Sequence, residues 1–461
     1  MILVKKLLAI VCLFVLYVGV TAARADELVD MAQKMYPNEK INPINRPKSS
    51  LIVDANTGNI LWQDNIDEVR DPASMSKLMT LYLVFEAIQQ GKLSENTVIK
   101  ATPRDEAIAK IYEISNNKIV AGVDYTVSEL ITMTAVPSSN ATTVMLANYL
   151  SNNDPDTFLD MMNAKAKELG MTNTKWFNAS GAAAVSFKGL YTPQRYDNNA
   201  ANQTTARDLA ILGYHFVKNY PNILNYTNKP VVTVKKGTPY EETFETYNYS
   251  LPGAKYGIEG VEGLKTGSSP RGAFNYIATI KRGEQRLISV IMGVGNWSDQ
   301  DGEYYRHPFG NALIEKAYAD YEYKKIFKAG EQTINGKRYN LSKDFYATVK
   351  KDTAAKAVVE NDVLKNDNGL EQLSSLISNG DNVTEVKNTA IKNSTAKSTV
   401  KTTTAKSSGK SLKQLFLDYH ILVAVPLLIL LLIVVFEATK RKQRRKQRTT
   451  NDTQLSRRQK R

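Results

Sequence analysis

Ser74 and Lys77 lie three positions apart in the stretch DPASMSKLMT, just before an apolar run that predicts a helix. Side chains at i and i+3 of a helix are neighbours, so a neutral lysine there can take the serine proton and make the hydroxyl nucleophilic. The spacing leaves an alternative open, because a serine at a helix start also acts as an N-cap. The same spacing recurs at Ser115/Lys118, Ser394/Lys397, Ser398/Lys401 and Ser407/Lys410.

A second polar pair, Ser138 and Asn140, precedes an apolar helical stretch in TAVPSSNATTVMLANYL. Here too the alternative is a helix N-cap. Serine-x-asparagine also begins at Ser94, Ser115 and Ser151.

The third motif, Lys265-Thr266-Gly267, occurs once and comes just before a predicted hairpin. A lysine base needs a lowered pKa, which requires burial or a nearby positive charge, and Lys265 is a candidate for that charge. Gly267 would let a substrate backbone approach the strand closely. The alternative is an ordinary strand entry with a solvated lysine.

Other hydrolytic arrangements have little support in this sequence. Between the two ends of the chain there are two histidines, His215 and His307, and no serine there lies in a G-x-S-x-G setting, so a Ser-His-Asp triad is not expected. The chain has no H-E-x-x-H, and its single cysteine, Cys12, lies in a segment predicted to be removed. We therefore expect no metal, no cofactor and no disulfide.

The elements that must position these residues indicate an α+β fold. SSLIVDANTGNILWQDN predicts a hairpin with its turn at Asn56-Thr57-Gly58, and residues 274–295 predict another that turns around Arg282-Gly283-Glu284. Residues 75–93 and 156–171 have helical patterns. Strands at both ends with helices between them indicate an antiparallel sheet covered by a helical region. Residues 26–325 form this predicted domain, and strand-like pieces in residues 326–385 predict a small β-rich domain.

The two ends of the chain predict export and a membrane anchor. Residues 1–25 have the lysines, apolar stretch and small residues of a signal peptide, with cleavage after Ala25. Residues 415–436 are apolar and uncharged except for Asp418, which predicts a single transmembrane helix. The basic residues 437–461 place the tail in the cytoplasm and the larger part of the chain outside. Residues 386–414, rich in Thr, Ser and Lys, predict a flexible spacer.

Net charge does not indicate a nucleic-acid partner. The formal charge is +14, but residues 440–461 carry +10 and residues 1–25 carry +3, which leaves the rest of the chain close to neutral. No basic patch of the kind that binds phosphates is evident.

Taken in order, Ser74-Met75-Ser76-Lys77, Ser138-Ser139-Asn140 and Lys265-Thr266-Gly267 resemble the S-x-x-K, S-x-N and K-T-G signature of the active-site serine penicillin-recognising enzymes. Further stretches, NAKAKELGMTNTKWFNASG, TTARDLAIL and GVEGLKTGSS, resemble the low-molecular-weight penicillin-binding proteins that act as D-alanyl-D-alanine carboxypeptidases. GEQTINGKRY and the C-terminal anchor resemble the Gram-positive members with a β-rich second domain. The resemblance covers roughly residues 30–345.

The resemblance implies a role for each matched residue. Ser74 would attack the carbonyl between the two terminal D-alanines of a peptidoglycan stem peptide, with Lys77 as its base and Ser138 as a proton relay. Asn140, Lys265, Thr266, Gly267 and Ser268 would line the substrate site, with Thr266 at the terminal carboxylate and backbone N–H groups of Ser74 and Ser268 as the oxyanion hole. Some family members also use an arginine for this carboxylate. Arg271 is near the third motif, but the sequence does not place it.

The resemblance also implies covalent inhibition by β-lactam antibiotics and leaves open whether water or an amine resolves the acyl-enzyme. Two alternatives remain. A β-lactamase shares the three motifs, but class A versions have S-D-N and an additional glutamate, whereas residues 175–206 contain a single acid, Asp197. A non-catalytic wall-binding protein would show a broken motif, and none is broken.

Overall fold

The fold is built on a central antiparallel sheet whose strands come from distant parts of the chain. In this computed structural model, which describes residues 27–386, the strands are β1 (Ser49–Asp54), β2 (Ile60–Asp64), β3 (Val98–Lys100), β4 (Asp124–Thr126), β5 (Val231–Val234), β6 (Glu242–Glu245), β7 (Val261–Ser269), β8 (Ala273–Arg282), β9 (Gln285–Val294), β10 (Tyr321–Phe327), β11 (Gly330–Ile334), β12 (Lys337–Leu341), β13 (Phe345–Lys350), β14 (Ala357–Glu360), β15 (Val363–Asn366) and β16 (Gly380–Glu385). The central sheet has the strand order β2-β1-β9-β8-β7. Both predicted hairpins, β1-β2 and β8-β9, are therefore confirmed, and β7 lies at an edge.

Helices lie on both faces of this sheet. They are α1 (residues 27–35), α2 (Lys77–Gln89), α3 (Pro103–Ala109), α4 (Val127–Ala135), α5 (Asn140–Leu150), α6 (Pro155–Leu169), α7 (Ala206–Asn219), α8 (Leu224–Thr227) and α9 (Gly302–Asp320), with short 3-10 helices at Pro43–Asn45, Ala73–Ser76, Ala184–Phe187 and Pro221–Ile223. α7 packs on one face together with the helical region, and α9 packs on the other. The predicted antiparallel sheet covered by helices is confirmed.

The central sheet separates two hydrophobic cores, because successive side chains along its strands point to opposite faces. In β1, Leu51 and Val53 point into the larger core beneath the helical region, whereas Ile52 points into the core beneath α9. In β9, Val290 and Ile291 divide in the same way. Because side chains on both faces of these strands are buried, the sequences of the strands are continuous apolar runs rather than alternating ones.

Local signals in the sequence set the ends of several helices. α6 begins after Asp154, whose carboxylate accepts from the N–H groups of residues 156 and 157, and it ends at Gly170 in the left-handed conformation, φ +82°. α2 was predicted to extend to residue 93 but ends at Gln89. The polar residues Gln89 and Gln90 and the glycine that follows them mark this end.

Residues 321–385 form the small β-rich domain, as predicted. β10 pairs with β13, and a second five-stranded sheet has the order β11-β12-β16-β15-β14. The predicted boundary between residues 325 and 326 falls within β10. The loop between β15 and β16 crosses back to the first hairpin, where Leu373 and Ile377 are buried in the larger core.

No helix within residues 27–386 is long and apolar enough to cross a bilayer. The predicted signal peptide (1–25), transmembrane helix (415–436) and basic tail (437–461) lie outside the described residues, as does the predicted spacer (386–414) after its first residue.

Candidate active site

Ser74 lies in the 3-10 helix Ala73–Ser76, which runs directly into α2 at Lys77. Pro72 precedes this turn, and no side chain caps it, so the N-cap alternative for Ser74 is wrong. The turn places Lys77 Nζ 3.0 Å from Ser74 Oγ. The Ser74 side chain is half-buried whereas Lys77 is fully buried. The nucleophile candidate therefore faces the outside and the base candidate lies behind it.

Within the part of the chain that the structure describes, Lys77 has three hydrogen-bond partners, and none of them is a carboxylate. Besides Ser74 Oγ, its Nζ lies 2.9 Å from Asn140 Oδ1 and 2.8 Å from the backbone oxygen of Ser180. Burial, and then the charge of Lys265, lowers the pKa of Lys77 well below its ordinary value. The neutral amine has two N–H groups and one lone pair. If Asn140 and Ser180 accept the two hydrogens, the lone pair faces the Ser74 hydroxyl.

Ser138 and Asn140 flank the residue that caps α5. Ser139, not Ser138, is the N-cap, with its hydroxyl accepting from the N–H of Thr142. Ser138 is 5% exposed and has a φ of +63°, and its Oγ has no hydrogen-bond partner among the described residues. A buried hydroxyl without a partner is costly unless a ligand completes it. The N-cap alternative for Ser138 is wrong.

Asn140 links the second motif to the first. Its Oδ1 accepts from Lys77, and its Nδ2 donates to the backbone oxygen of Ser115 at 2.8 Å. An asparagine amide has two N–H groups, so one of them remains for another acceptor. This N–H lies on the same side chain that contacts the base.

Lys265, Thr266 and Gly267 lie in the middle of β7 rather than at a strand entry, and all three are buried. The alternative of a solvated Lys265 is wrong, because this side chain is 2% exposed and donates to the backbone oxygen of Thr266 at 3.1 Å. Burial, and then the charge of Arg306, lowers the pKa of Lys265 to about 7. Ser268 follows at the more exposed end of the strand.

Gly267 has a packing role that the sequence did not indicate. A Cβ at this position would lie 2.4 Å from the backbone oxygen of Pro72 and 2.8 Å from the backbone nitrogen of Met75. The strand therefore approaches the turn that carries Ser74, and any side chain would push the two apart. The glycine brings the third motif to the first.

The backbone around Ser180 closes the other side of Ser74. Gly181 has a φ of +94°, and a Cβ there would lie 1.9 Å from the backbone oxygen of Ala73. Asn178 holds this turn by accepting from the N–H of Gly181 at 2.6 Å. Only glycine fits both the conformation and the space.

Arg306, which the sequence did not single out, lies beside Ser268. It comes from α9, is 1% exposed, and donates from Nη1 to Ser268 Oγ at 2.9 Å. Burial lowers its pKa to about 10. Arg271 is exposed after β7 and lies near Asp71 instead.

His307 and Asp197 form no competing centre among the described residues. His307 contacts Ser250, but Ser250 is fully buried and its hydroxyl is hydrogen-bonded to Asn311, so it is not a nucleophile. Asp197 is exposed and accepts from the N–H of residue 199. Within residues 27–386, no cluster of three or more His, Cys, Asp or Glu side chains could hold a metal.

Comparison with known proteins identifies the family. Residues 38–296 match the family model described as D-alanyl-D-alanine carboxypeptidase, and residues 323–383 match a model described as a domain of unknown function. The chain belongs to the D-alanyl-D-alanine carboxypeptidase family.

Curated members of this carboxypeptidase family are distant relatives. DacF of Bacillus subtilis is 26% identical over 284 residues, covering 62% of this chain and 65% of DacF. DacA of Escherichia coli is 27% identical over 288 residues, covering 62% of this chain and 64% of DacA. The chain spans just under two thirds of the length of these curated relatives.

Solved structures share the fold. A peptidoglycan synthesis regulatory factor (PBP3) from Streptococcus pneumoniae is 23% identical with a TM-score of 0.62, covering 74% of this chain and 98% of that one. Penicillin binding protein 5 from Haemophilus influenzae is 22% identical with a TM-score of 0.59, covering 75% of this chain and 98% of that one. In this chain, the structure brings the three predicted motifs to one place, together with Arg306 and the Ser180 turn, which sequence reasoning missed.

Proposed function

We propose that this protein is a serine-type D-alanyl-D-alanine carboxypeptidase that removes the terminal D-alanine of peptidoglycan stem peptides. The observation that carries the proposal is the geometry of Lys77. A buried lysine without a carboxylate partner is expensive to protonate, and its three contacts leave a lone pair for Ser74. Such a lysine is suited to be a general base.

In the acylation step, Ser74 Oγ attacks the carbonyl carbon between the two D-alanines while its proton passes to Lys77 Nζ. The carbonyl becomes an oxyanion that backbone N–H groups of Ser74 and Ser268 stabilise, an effect often worth about 3 kcal/mol. The C–N bond then breaks as the Ser138 hydroxyl delivers its proton to the leaving amine and takes up the proton that Lys77 holds, which leaves Lys77 neutral again. D-Alanine departs, and the rest of the peptide stays on Ser74 as an ester.

The free edge of β7 is the proposed substrate platform, because an extended peptide can pair with an unpaired strand edge. The remaining N–H of Asn140 would bind a substrate amide oxygen. Thr266 and Arg306 would bind the terminal carboxylate, and the Lys265 charge would support the anionic end of the substrate. Gly267 keeps this edge against the Ser74 turn.

Water then attacks the ester with Lys77 as base, which regenerates Ser74 and releases the shortened peptide. An amine in place of water would produce a cross-link. A β-lactam has the same amide and carboxylate arrangement, so we propose that β-lactam antibiotics acylate Ser74. Release of that adduct is expected to be slow, because no carboxylate is among the hydrogen-bond partners of Lys77 or Ser74 in residues 27–386.

The test is intact-mass spectrometry of the full-length protein after brief exposure to benzylpenicillin. We expect one stable adduct on the wild type, and none on Ser74→Ala. Ser94→Ala, which changes an exposed serine, is the matched control and should still be labelled. Unmodified wild type with consumed penicillin would indicate a β-lactamase. Unmodified wild type with intact penicillin would contradict the proposal.

We further propose that the protein is exported and anchored by residues 415–436, with the active site outside the cell. The support is the sequence pattern at both ends. Cell fractionation with alkaline extraction should leave the full chain in the membrane fraction, and a version that lacks residues 415–461 should be released. Mass spectrometry should find the mature chain beginning at Asp26. A soluble full chain with residues 1–25 intact would contradict this proposal.

A further inference from the structure

Arg306 is a buried cation whose hydrogen-bond partners include no carboxylate. Its Nη1 donates to Ser268 Oγ at 2.9 Å and to the backbone oxygen of Asn275 at 3.3 Å. Its Nη2 donates to the backbone oxygen of Tyr247 at 3.4 Å, and its Nε donates to His307 Nε2 at 3.4 Å. Since residues 27–386 contain no ion-pair partner for this guanidinium, the neutral acceptors set its direction.

His307 Nε2 lies 3.4 Å from Arg306 Nε and 3.2 Å from the backbone oxygen of Tyr247. An unprotonated Nε2 accepts from Arg306, whereas a protonated Nε2 would donate to Tyr247, so the opposite ring nitrogen decides between the two tautomers. The opposite nitrogen, Nδ1, lies 3.0 Å from Ser250 Oγ. Ser250 Oγ in turn lies 2.7 Å from Asn311 Oδ1, which can only accept, so the Ser250 hydrogen points to Asn311. Ser250 Oγ is then an acceptor for His307, and Nδ1 must carry the proton.

Asn311 is itself fixed, which makes its orientation unambiguous. Its Nδ2 donates to the hydroxyl of Tyr36 at 2.6 Å and to the backbone oxygen of Tyr256 at 2.8 Å. Both amide hydrogens are therefore used, and Oδ1 must face Ser250. With the other histidine tautomer, Nε2–H would donate to the backbone oxygen of Tyr247, but Nδ1 would then need a hydrogen from Ser250, whose only hydroxyl hydrogen is already given to Asn311. Arg306 Nε would also lose its acceptor.

The surroundings keep His307 neutral. It is fully buried, and the rings of Tyr249, Tyr256 and Tyr276 lie 4.7 to 6.4 Å from its own ring. Burial, and then the charge of Arg306, lowers its pKa well below its ordinary value. Arg306 is the charged side chain in hydrogen-bond contact with it.

We propose that Asn311, Ser250 and His307 form a relay that selects the Nδ1–H tautomer of His307 and thereby positions Arg306 to receive the terminal carboxylate of the substrate. This inference rests on the proposed carboxypeptidase function. The three residues are positioning residues, since they act through Arg306 and do not touch the substrate. They adjust the preference for a substrate with a free carboxylate, while the chemistry at Ser74 stays unchanged.

The test compares acylation of the full-length protein by benzylpenicillin and by its methyl ester, which lacks the free carboxylate. The ratio of the two rate constants reports the contribution of the carboxylate site and cancels a general loss of activity. In His307→Phe, which cannot accept from Arg306, we expect the ratio to fall about tenfold, the size of one hydrogen bond to a charged group. His307→Gln offers an oxygen at the position of Nε2 and should stay within about threefold of the wild-type ratio.

A second variant, Ser250→Ala, removes one small buried hydroxyl and should also lower the ratio. Its matched control is Ser289→Ala, another fully buried serine, whose Oγ has no hydrogen-bond partner among the described residues. Thermal unfolding checks that each variant folds. If His307→Phe does not fold, the ratio of rate constants measured for Ser250→Ala tests the relay.

If His307→Phe and Ser250→Ala slow acylation by benzylpenicillin and by its methyl ester equally, the ratio stays unchanged. That result would overturn the relay and leave His307 and Ser250 with only a packing role. A rescue by His307→Gln would support it. If the wild type forms no adduct with benzylpenicillin, the proposed carboxypeptidase function itself fails, and the relay fails with it.

Discussion

Replacing Asn140 by aspartate is the most direct test of Lys77 as a neutral base. The change is nearly isosteric, and it puts a carboxylate oxygen where Oδ1 now lies, 2.9 Å from Lys77 Nζ. A nearby negative charge favours the protonated lysine, so the pKa of Lys77 should rise. A protonated lysine has no lone pair for Ser74.

The size of the expected effect follows from the distance between the new carboxylate and Lys77 Nζ. For two unit charges at 2.9 Å and an effective dielectric constant of about 20, the attraction is about 6 kcal/mol. Desolvation of the new carboxylate offsets part of this attraction. We therefore expect the rate of acylation of Asn140→Asp near neutral pH to fall at least about 100-fold, which corresponds to about 3 kcal/mol.

The assay is the rate constant for acylation by a fluorescent penicillin, measured from about pH 7 to about pH 10. The control, Asn140→Ala, loses the contacts of Asn140 with both Lys77 and Ser115 and gains no charge. The rate of Asn140→Asp relative to Asn140→Ala should rise with pH, as Lys77 again loses its proton. A relative rate that stays constant with pH would refute Lys77 as the base.

Three further changes have distinct expected outcomes. Ser138→Ala should lower release of D-alanine from a stem peptide by about 100-fold or more, because the leaving amine loses its proton donor, whereas Ser94→Ala should not. Lys265→Met removes a lysine whose pKa is about 7 when folded. The unfolded chain binds this proton more tightly, so the free energy of unfolding of the wild type rises with pH between about 7 and the ordinary lysine pKa. In urea unfolding, the free energy of unfolding of Lys265→Met relative to the wild type should therefore fall over this range by up to about 1.4 kcal/mol per pH unit. The exposed control Lys118→Met should show no such trend. Gly181→Ala, at φ +94° and with a Cβ 1.9 Å from a backbone oxygen, should lower the free energy of unfolding by at least about 2 kcal/mol, and an unchanged melting temperature would contradict this reasoning.

The elements were largely predictable, because their signals are local. The two hairpins follow from apolar runs separated by turn residues, and α6 follows from Asp154 and Gly170 at its ends. The position of Lys265 in the middle of a strand was not predictable from its neighbours. It depends on pairing with β8, which continues the strand past the glycine of the motif.

The three motifs were recognisable, but their exact contacts depend on tertiary packing. The cap of α5 illustrates this, since Ser138 and Ser139 are adjacent serines and only the backbone conformation decides which one caps the helix. Arg306 lies 38 positions beyond Ser268 and reaches it only because α9 folds back over the sheet. A local pattern contains no signal for such a contact.

Leu373 and Ile377 have a consequence for how the protein can be divided. These two residues come from the β-rich domain but complete the larger core beside the helical region. Truncation of one such buried side chain typically costs about 2–5 kcal/mol. A recombinant fragment that stops near residue 325 would lack both, so residues 27–325 and the β-rich domain should melt in one cooperative transition. Recombinant fragments for binding measurements should therefore keep the β-rich domain, although separate family models match residues 38–296 and 323–383.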